Sequence, residues 1–373
     1  MKIVIFANDE KTILNFRQEI VEAFINEKFE VVICYPFGEN TSTIKELGCD
    51  VININVSRHG TSVIQDLKFM LECRKVILKQ KPDIVLTYTV KPNIYSSIAC
   101  QMTKTPYINN VTGLGSVLQN RGFLATLILK LQKFGYRKSS CVFFQNENNR
   151  QVLRDIGVIN NKTDTIIIPG SGVNLEKQKY EKFPENDGII RFVIVSRVRE
   201  DKGYNEFFEA AKIIKKRHSN TEFHVVGWYE EDKYKTVIED LVKDDIIIYH
   251  GKKSQEEVHE IEKQCNCLIH PSYHEGMANV ILEAAATGRP VIASDIPGCR
   301  EAFEDGVTGF SCEPKDVASL VDAIEKMIDT PYEGQVQMGK RGRIKMEKEF
   351  DRQIVADKYI EVIKKTLEDK NNG

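Results

Sequence analysis

The segment HEGMANVILEA, residues 274–284, combines two carboxylates and a glycine in a spacing that could bind a sugar and its phosphate. Gly276 permits a tight turn and a close approach of a ligand to the backbone. An ionised carboxylate such as Glu275 or Glu283 accepts hydrogen bonds from two hydroxyls at once. Glu283 lies in an apolar stretch, where its charge needs a partner. The alternative is that Glu283 faces solvent or complements the positive end of a helix.

A helix is predicted to begin near Ala278 or Asn279, directly after a strand that ends near Ser272. The free N–H groups in the first turn of a helix favour an anion such as a diphosphate. The segment therefore offers both an anion site and hydroxyl acceptors.

A second segment, VSRVREDKGYNEFFEAA at residues 195–211, follows another predicted strand. Arg197 and Lys202 could bind a diphosphate, the first through its planar fork and the second as a point charge. Alternatively, both are surface charges paired with Glu200 and Asp201. Because both segments follow strands in the same half of the chain, they can converge on one ligand.

Short apolar strands alternate with amphipathic helical stretches, such as 14–27 and 63–80, along the chain. The predicted strands are 2–7, 30–35, 50–55, 83–88, 106–111 and 141–146 in the first half, and 189–196, 222–227, 245–251, 267–272, 289–294 and 308–313 in the second. Val- and Ile-rich strands alternating with helices predict parallel sheets covered on both faces. The fold class is thus α/β, with two doubly wound, Rossmann-like domains and a cleft between them. Ligands of such sheets bind at the carboxyl ends of the strands.

The predicted organisation is an acceptor-side domain over 1–168, a linker and hinge over 169–188, a nucleotide-sugar domain over 189–349 and a C-terminal helix over 350–373. The linker is assigned from its Pro, Gly and charged residues. The last segment has apolar residues at helical spacing, and it could cross back to pack on the first domain.

The 373 residues carry a formal net charge of -2, which argues against a general nucleic-acid binder. No segment reaches the roughly 18–20 apolar residues of a membrane span. The nine cysteines show no framework spacing, so reduced thiols and a cytoplasmic location are expected. Cys265 and Cys267 are expected to be buried thiols rather than zinc ligands.

The motifs SRVREDKG and EGMANVILEAAATGRPVIASDIPGCRE together resemble the GT-B glycosyltransferases of retaining family 4, and the similarity runs through essentially the whole chain. The pieces LNFRQEI, TVKPNIYSSIA and NNVTGLGS resemble a bacterial branch. That branch builds capsule, O-antigen or N-glycan repeats on undecaprenyl diphosphate and includes N-acetylgalactosaminyltransferases. The resemblance implies transfer of a hexose or N-acetylhexosamine from a nucleotide diphosphate donor to a lipid-diphosphate-linked sugar. The resemblance to this branch indicates that the donor nucleotide is UDP.

The resemblance also implies roles for individual residues. Arg197, Lys202 and Glu275 would be catalytic, the first two on the diphosphate and the third on the sugar. Donor contacts would come from Gly276, Met277, Ala278, Asn279, Val280, Glu283, Gly251 and Lys252. Glu283 would bind the ribose, and the backbone at Gly251–Lys252 would meet the base.

The first domain departs from the family pattern. Relatives have a Gly-rich loop after the first strand, where this chain reads ANDEKTILNFR and offers Asn15 and Arg17. Relatives also have a His near the fourth strand, where this chain offers Thr89, Lys91 and Asn93. Gly113 completes the expected first-domain site, and Arg17 and Lys91 are candidates for the acceptor's pyrophosphate.

The resemblance further implies a metal-independent reaction without cofactor, in which the acceptor hydroxyl attacks the front face of the sugar. Residues 121–138, RGFLATLILKLQKFGYRK, combine apolar and basic residues without acids. Such a helix can lie on an anionic membrane, which suits a peripheral enzyme on the inner face of the cytoplasmic membrane. A helix with its apolar side in the core is the alternative.

Two other functions remain open at the sequence level. A sugar-nucleotide epimerase on the same fold could use His270 and His274 as acid–base groups. A non-catalytic sugar-nucleotide-binding subunit would keep the binding residues without turnover.

Overall fold

The computed structural model describes residues 1–56, 62–114 and 123–372. The chain forms two compact units. Unit 1 comprises Met1–Ser171 together with Arg352–Gly373, and unit 2 comprises Gly172–Asp351. Each unit has its own parallel sheet and its own apolar core, which confirms the predicted α/β class with two Rossmann-like domains.

Unit 1 is built on a seven-stranded parallel sheet with the strand order β3-β2-β1-β4-β5-β6-β7. The strands are β1 Lys2–Phe6, β2 Glu30–Tyr35, β3 Asp50–Asn53, β4 Ile84–Tyr88, β5 Tyr107–Val111, β6 Cys141–Phe144 and β7 Thr165–Ile167. Strand β4 is buried along its whole length, as a strand covered on both faces requires. The six strands predicted for this part of the chain are confirmed, and β7 is an addition.

Eight helices of unit 1 lie in the described ranges. They are α1 Glu10–Leu14, α2 Gln18–Asn26, α3 Thr41–Glu46, α4 Val63–Gln80, α5 Val90–Thr103, α6 Phe123–Tyr136, α7 Glu147–Asp155 and, from the end of the chain, α14 Arg352–Asn372. The helix predicted over 63–80 is confirmed. The helical stretch predicted over 14–27 is confirmed over Gln18–Asn26. Its first residues differ, because α1 ends at Leu14 and α2 begins only after Arg17, whose φ of -138° is not helical.

The final helix completes the core of unit 1. Val355, Tyr359 and Ile363, one turn apart, are buried among residues of strands β1, β2 and β4. The Tyr359 hydroxyl donates to the Asn110 side chain at the end of β5. The expectation that the last segment crosses back to the first domain is therefore confirmed.

Unit 2 has a six-stranded parallel sheet with the order β10-β9-β8-β11-β12-β13. Its strands are β8 Ile190–Val195, β9 Thr221–Val226, β10 Ile248–Gly251, β11 Cys267–His270, β12 Val291–Ser294 and β13 Gly309–Cys312. Its helices are α8 Tyr204–Arg217, α9 Lys233–Lys243, α10 Gln255–Glu262, α11 Asn279–Thr287, α12 Val317–Asp329 and α13 Tyr332–Lys345, with a 3-10 turn at Glu200–Lys202 and a π turn at Met346–Phe350. All six strands predicted for this half are confirmed.

The segment expected to be a linker, 169–188, belongs mostly to unit 2. Arg289 donates from its guanidinium to the backbone carbonyls of Glu181 and Lys182, at 3.2 and 2.9 Å. The ring of Phe183 packs edge-on against Tyr332, with 5.7 Å between the centroids. Residues 181–183 of the predicted linker and hinge are thus bound to other residues of unit 2. The two units divide between Ser171 and Gly172.

All nine cysteines are buried and carry free thiols, so Cys265 and Cys267 are core residues, as expected. In the described ranges, no helix is both long and apolar enough to cross a bilayer.

Candidate active site

The carboxyl ends of β8 and β11 form the switch point of the unit 2 sheet. These two strands pair directly in parallel, and from them the chain order runs outward in opposite directions. A crevice forms at such a point in doubly wound sheets. The loop after β8 carries Lys202 and the loop after β11 carries Glu275, so the two predicted segments meet at the same edge.

Backbone contacts hold these two loops together. Tyr273 donates its backbone N–H to the Asp201 carbonyl at 2.9 Å. Gly203 has a φ of +75°, and a Cβ on it would lie 2.1 Å from the Pro271 carbonyl oxygen. Only glycine allows this approach. The position of Lys202 relative to the second loop is therefore set by the backbone.

A second glycine, Gly298, packs closely against the backbone of the Glu275 loop. A Cβ on Gly298, whose φ is +88°, would lie 2.7 Å from the Glu275 carbonyl oxygen and 2.8 Å from that of Gly276. The Gly298 carbonyl accepts the Ala278 N–H at 2.8 Å. The loop is thus anchored at both ends of the EGMA sequence.

Lys202 and Glu275 form a largely buried ion pair, with Nζ 2.5 Å from Oε1 and side chains 16% and 13% exposed. His270, on β11, places Nε2 2.9 Å from the same oxygen. Burial by itself raises the pKa of Glu275, but the His270 hydrogen bond and the Lys202 charge outweigh it and lower that pKa to about 2. Glu275 is therefore a carboxylate throughout the physiological pH range.

Arg197 lies in a more open position after β8. Its Nη1 is 2.8 Å from Glu230 Oε1, and its side chain is 43% exposed. Ion pairs this exposed contribute little to stability, so Arg197 can exchange Glu230 for a ligand phosphate at small cost.

The start of helix α11 is open to an anion. Ala278 occupies the N-cap and supplies no capping side chain, which leaves the N–H groups of Asn279 and Val280 for a ligand. One backbone contact predicted from the sequence needs correction, because the Ala278 N–H is already bonded to the Gly298 carbonyl. The Met277 side chain is a core residue, 7% exposed, and the predicted donor contact of the Met277 backbone stays a prediction.

Glu283 lies one turn into α11, on the face that also carries Asn279. It is the only residue from 281 to 290 that is not buried. Its carboxylate is therefore accessible from one side of a helix that is otherwise packed in the core. Glu283 therefore lies one turn beyond the open N–H groups of α11.

Gly251 and Lys252 end strand β10. Gly251 adopts a φ of +72°, and its carbonyl accepts the Gly227 N–H at 2.9 Å. The Lys252 ammonium lies 5.9 Å from the ring centroid of Trp228, which is 44% exposed. An exposed aromatic ring at a strand end can stack on a planar base, so Trp228 joins Gly251 and Lys252 as a candidate.

In unit 1, the switch point lies between β1 and β4, and Arg17 is buried there at 2% exposure. Its guanidinium lies over the Tyr88 ring at 4.8 Å and donates to the hydroxyl of Ser171 at 2.5 Å. The ion pairs found among the described residues do not include Arg17, and its Nε has no hydrogen-bond partner. A buried cation without a carboxylate is costly, which points to an anionic ligand.

The other predicted residues of unit 1 differ in availability. Lys91 is paired with Asp66 at 2.7 Å. The Asn93 amide is bonded to Thr87 and to the Asn110 carbonyl, at 2.5 and 2.8 Å. These bonds hold the Asn93 side chain at the base of the site, and a contact between Asn93 and a substrate stays a prediction.

The Asn15 side chain is exposed. Its backbone carbonyl accepts a hydrogen bond from the Arg352 guanidinium at 3.1 Å. Thr89, Asn93 and Gly113 line a cavity of about 180 Å³. Of the six predicted residues, Arg17 and the three that line this cavity are therefore placed where a ligand could meet them.

Sequence reasoning missed two contributors to the unit 2 site. The sequence motifs give His270 only an acid–base role in an epimerase, whereas in the structure His270 hydrogen-bonds to Glu275. Trp228 belongs to none of the motifs, although it is the only tryptophan in the chain and follows a predicted strand. That combination is a usable signal for a ligand contact.

Two family profiles match this chain. Residues 176–345 match "Glycosyl transferases group 1", and residues 2–146 match "Glycosyl transferase 4-like". The chain is a glycosyltransferase of the GT-B fold. The two profiles cover the switch points of both units, so the predicted family and enzyme class are confirmed.

Relatives of this glycosyltransferase include two enzymes named for lipid-linked substrates. One is the N,N'-diacetylbacillosaminyl-diphospho-undecaprenol alpha-1,3-N-acetylgalactosaminyltransferase of Campylobacter jejuni, 27% identical with 98% of this chain and 99% of the relative covered. The other is the UDP-Gal:alpha-D-GlcNAc-diphosphoundecaprenol alpha-1,3-galactosyltransferase of Escherichia coli, 25% identical with 92% of each covered. Among solved structures, Anabaena HepE in complex with UDP and glucose superposes with a TM-score of 0.79 at 16% identity, covering 98% of this chain and all of that one.

Proposed function

We propose that this glycosyltransferase moves a hexose or N-acetylhexosamine from a UDP-sugar to a sugar carried on a polyprenyl diphosphate, in the synthesis of a bacterial surface glycan. The observation that carries the proposal is the Lys202–Glu275 pair at the switch point of unit 2. The names of the Campylobacter jejuni and Escherichia coli relatives support the acceptor class. The Escherichia coli relative's name supports the donor nucleotide.

In this proposal, the donor diphosphate binds Lys202, Arg197 and the first N–H groups of α11. Glu275 accepts hydrogen bonds from the donor sugar, and Glu283 accepts them from the ribose. The base stacks against Trp228 beside Gly251 and Lys252. Lys202 then exchanges part of its contact with Glu275 for the β-phosphate, which is the group that gains charge in the reaction.

The chemical step forms a bond from the acceptor hydroxyl oxygen to the anomeric carbon and breaks the bond from that carbon to the β-phosphate oxygen. The bonding electrons leave with the phosphate, and the acceptor proton passes to it on the same face, so the configuration is retained. Positive charges held at that oxygen lower the barrier because they need no reorganisation during the step. The reaction needs no bound metal in this scheme.

The acceptor diphosphate is assigned to Arg17. A guanidinium binds two phosphate oxygens at once, and Arg17 is buried without a carboxylate partner. Lys91 has a smaller share in the acceptor site, since Asp66 already neutralises it.

A membrane-facing side of unit 1 would bring the enzyme to a lipid-linked acceptor. Helix α4 exposes Leu67, Leu71 and Leu78, at 51%, 50% and 48%. Helix α6, which covers most of the basic segment 121–138, exposes Leu127 and Phe134 beside lysines; Arg121 and Gly122 lie outside the described residues. Helix α5 contacts both α4 and α6, and exposed apolar side chains with a basic rim favour an anionic bilayer surface.

The activity is tested with a panel of UDP-sugars and short polyprenyl-diphosphate-linked sugars, with the product's anomeric configuration read by NMR. We expect transfer with retention, and no change after EDTA treatment. A nucleotide sugar converted to its epimer without any acceptor would instead favour an epimerase. Absence of transfer across the whole panel, with a folded protein, would contradict the proposal.

Membrane contact is tested by co-sedimentation with vesicles containing anionic lipid. Replacing Leu67 and Leu71 with Ser should lower the bound fraction, whereas replacing the half-buried Met70 with Leu, which keeps an apolar side chain, serves as a control on the same helix. Equal binding to neutral and anionic vesicles would contradict the electrostatic part of the proposal.

A further inference from the structure

A cavity in unit 1 has a composition that the proposed function leaves unexplained. Its volume is about 180 Å³, and it lies where β4 and β5 end and helix α5 begins. On the same measure a cavity that holds one water needs only about 10–15 Å³, so the space is large enough for a small ligand such as a single sugar ring. The predicted residues Thr89 and Gly113 line it, with leucines from later elements.

The backbone at the cavity's edge is strained. Thr89 has a φ of +71°, a conformation that β-branched residues rarely adopt. The Thr89 Oγ1 is buried and has no hydrogen-bond partner. Strain of this kind clusters at ligand sites, and the N-terminus of the fourteen-residue helix α5 follows directly.

Gln132, on α6, supplies an independent observation. Its side chain is 7% exposed and lines the cavity. A glutamine amide offers one accepting oxygen and two N–H donors, so Gln132 presents both kinds of hydrogen-bonding group to a ligand in the cavity.

The chemistry of the cavity selects the ligand. The lining residues of known position are uncharged, with the Tyr136 phenol kept neutral because burial raises its pKa. The hydroxyls of Thr89 and Thr112 and the amide of Gln132 can pair with hydroxyl and amide groups. The cavity also has an apolar wall, formed by Val111, Leu114 and Leu129. The hydroxyl groups of a sugar would not pack against this wall, whereas a methyl group on the sugar would.

We infer that this cavity binds the acetamido-bearing sugar ring of the acceptor, with the Gln132 amide paired to the acetamido group and the leucines against its methyl. The inference rests on the proposed function, since it takes the acceptor to be a sugar diphosphate. The two sites are adjacent along the chain, because Arg17 lies over Tyr88 and Thr89 is the next residue. A sugar in the cavity would thus carry its diphosphate towards the guanidinium.

The test is equilibrium binding of two short polyprenyl-diphosphate acceptors without donor, one carrying an N-acetylhexosamine and one the matching hexose. The wild-type protein should bind the acetamido acceptor more tightly. Gln132→Met keeps the size of the side chain and removes its hydrogen bonds, so it should weaken acetamido binding about 3- to 10-fold and reduce the preference between the two acceptors. Gln151→Met, an exposed glutamine on α7, should change neither.

A second variant tests the cavity as a space. A Cβ at Gly113 would meet nothing within 4 Å, so Gly113→Leu should fill the cavity without disturbing the fold and weaken both acceptors more than tenfold. An unchanged preference in Gln132→Met, or unchanged binding in Gly113→Leu, would overturn the inference while leaving transfer intact. Binding with the expected preference but no transfer would instead contradict the proposed function.

Discussion

Replacing Glu275 with Gln should destabilise unit 2 by an amount that follows from the buried ion pair. The folded-state pKa of Glu275 is about 2, against an ordinary value of 4.5. At about 1.4 kcal/mol per pH unit, the ionised group contributes roughly 3 kcal/mol at neutral pH. Gln keeps one accepting oxygen for Lys202 and His270, so we expect a loss of about 1–3 kcal/mol in the free energy of unfolding.

The protein contains its own probe for this measurement. Trp228 is the only tryptophan and belongs to unit 2. Its fluorescence during urea unfolding therefore follows the unit that holds Glu275. The exposed Glu256→Gln on α10 is the matched control, and it should shift stability by less than about 0.5 kcal/mol.

The pH dependence provides a second, independent check. A carboxyl whose pKa is lowered by folding stabilises the folded state above its ordinary pKa and loses that contribution as pH falls. The difference in the free energy of unfolding between wild type and Glu275→Gln should thus have its largest value above pH 4.5. It should become smaller as the pH falls from 4.5 to about 2. Equal urea midpoints at pH 7, or a difference that does not vary with pH, would refute the electrostatic account.

Three further predictions concern the two switch points. Lys202→Met should lower the transfer rate on the order of 100-fold in a folded protein, and full activity would exclude its role at the leaving phosphate. Gly298→Ala should lower the urea midpoint and the activity together, because its Cβ would lie 2.7 Å from the Glu275 carbonyl oxygen; an unchanged midpoint would show that the loop can shift. Arg17→Met should raise the acceptor KM about tenfold and Lys91→Met much less, as measured by initial rates with varied acceptor, and the reverse order would transfer the diphosphate role to Lys91.

The strands were predictable from the sequence because short, continuous Val and Ile runs between helical stretches are typical of buried parallel strands. Strand β7 was not, since three residues at Thr165–Ile167 are too few to show a pattern. The positions of Lys202 and Glu275 followed from the rule that sites lie at strand ends. Their direct pairing did not, because it depends on how the glycines at 203 and 298 let two loops approach.

Other features depend on packing that no local pattern contains. Residues 169–188 have the composition of a linker, yet the Arg289 guanidinium fixes part of them through backbone carbonyls. The apolar spacing of 14–27 continues through the break at Arg17. An arginine is ordinarily exposed, so the burial of Arg17, and with it the strongest anion candidate in unit 1, could be seen only in the fold.

The docking of α14 in the core of unit 1 affects how the protein is made. The ribosome delivers Met1–Ser171 first, but Val355, Tyr359 and Ile363 fill that unit's core. At about 5–20 residues per second, the 180 residues of unit 2 in between take about 9–36 s. During this interval unit 2, which is continuous in sequence, can fold, while unit 1 holds an apolar groove open to chaperones and proteases. A nascent chain stalled before α14 should therefore be captured through its first half, although that half was synthesised first.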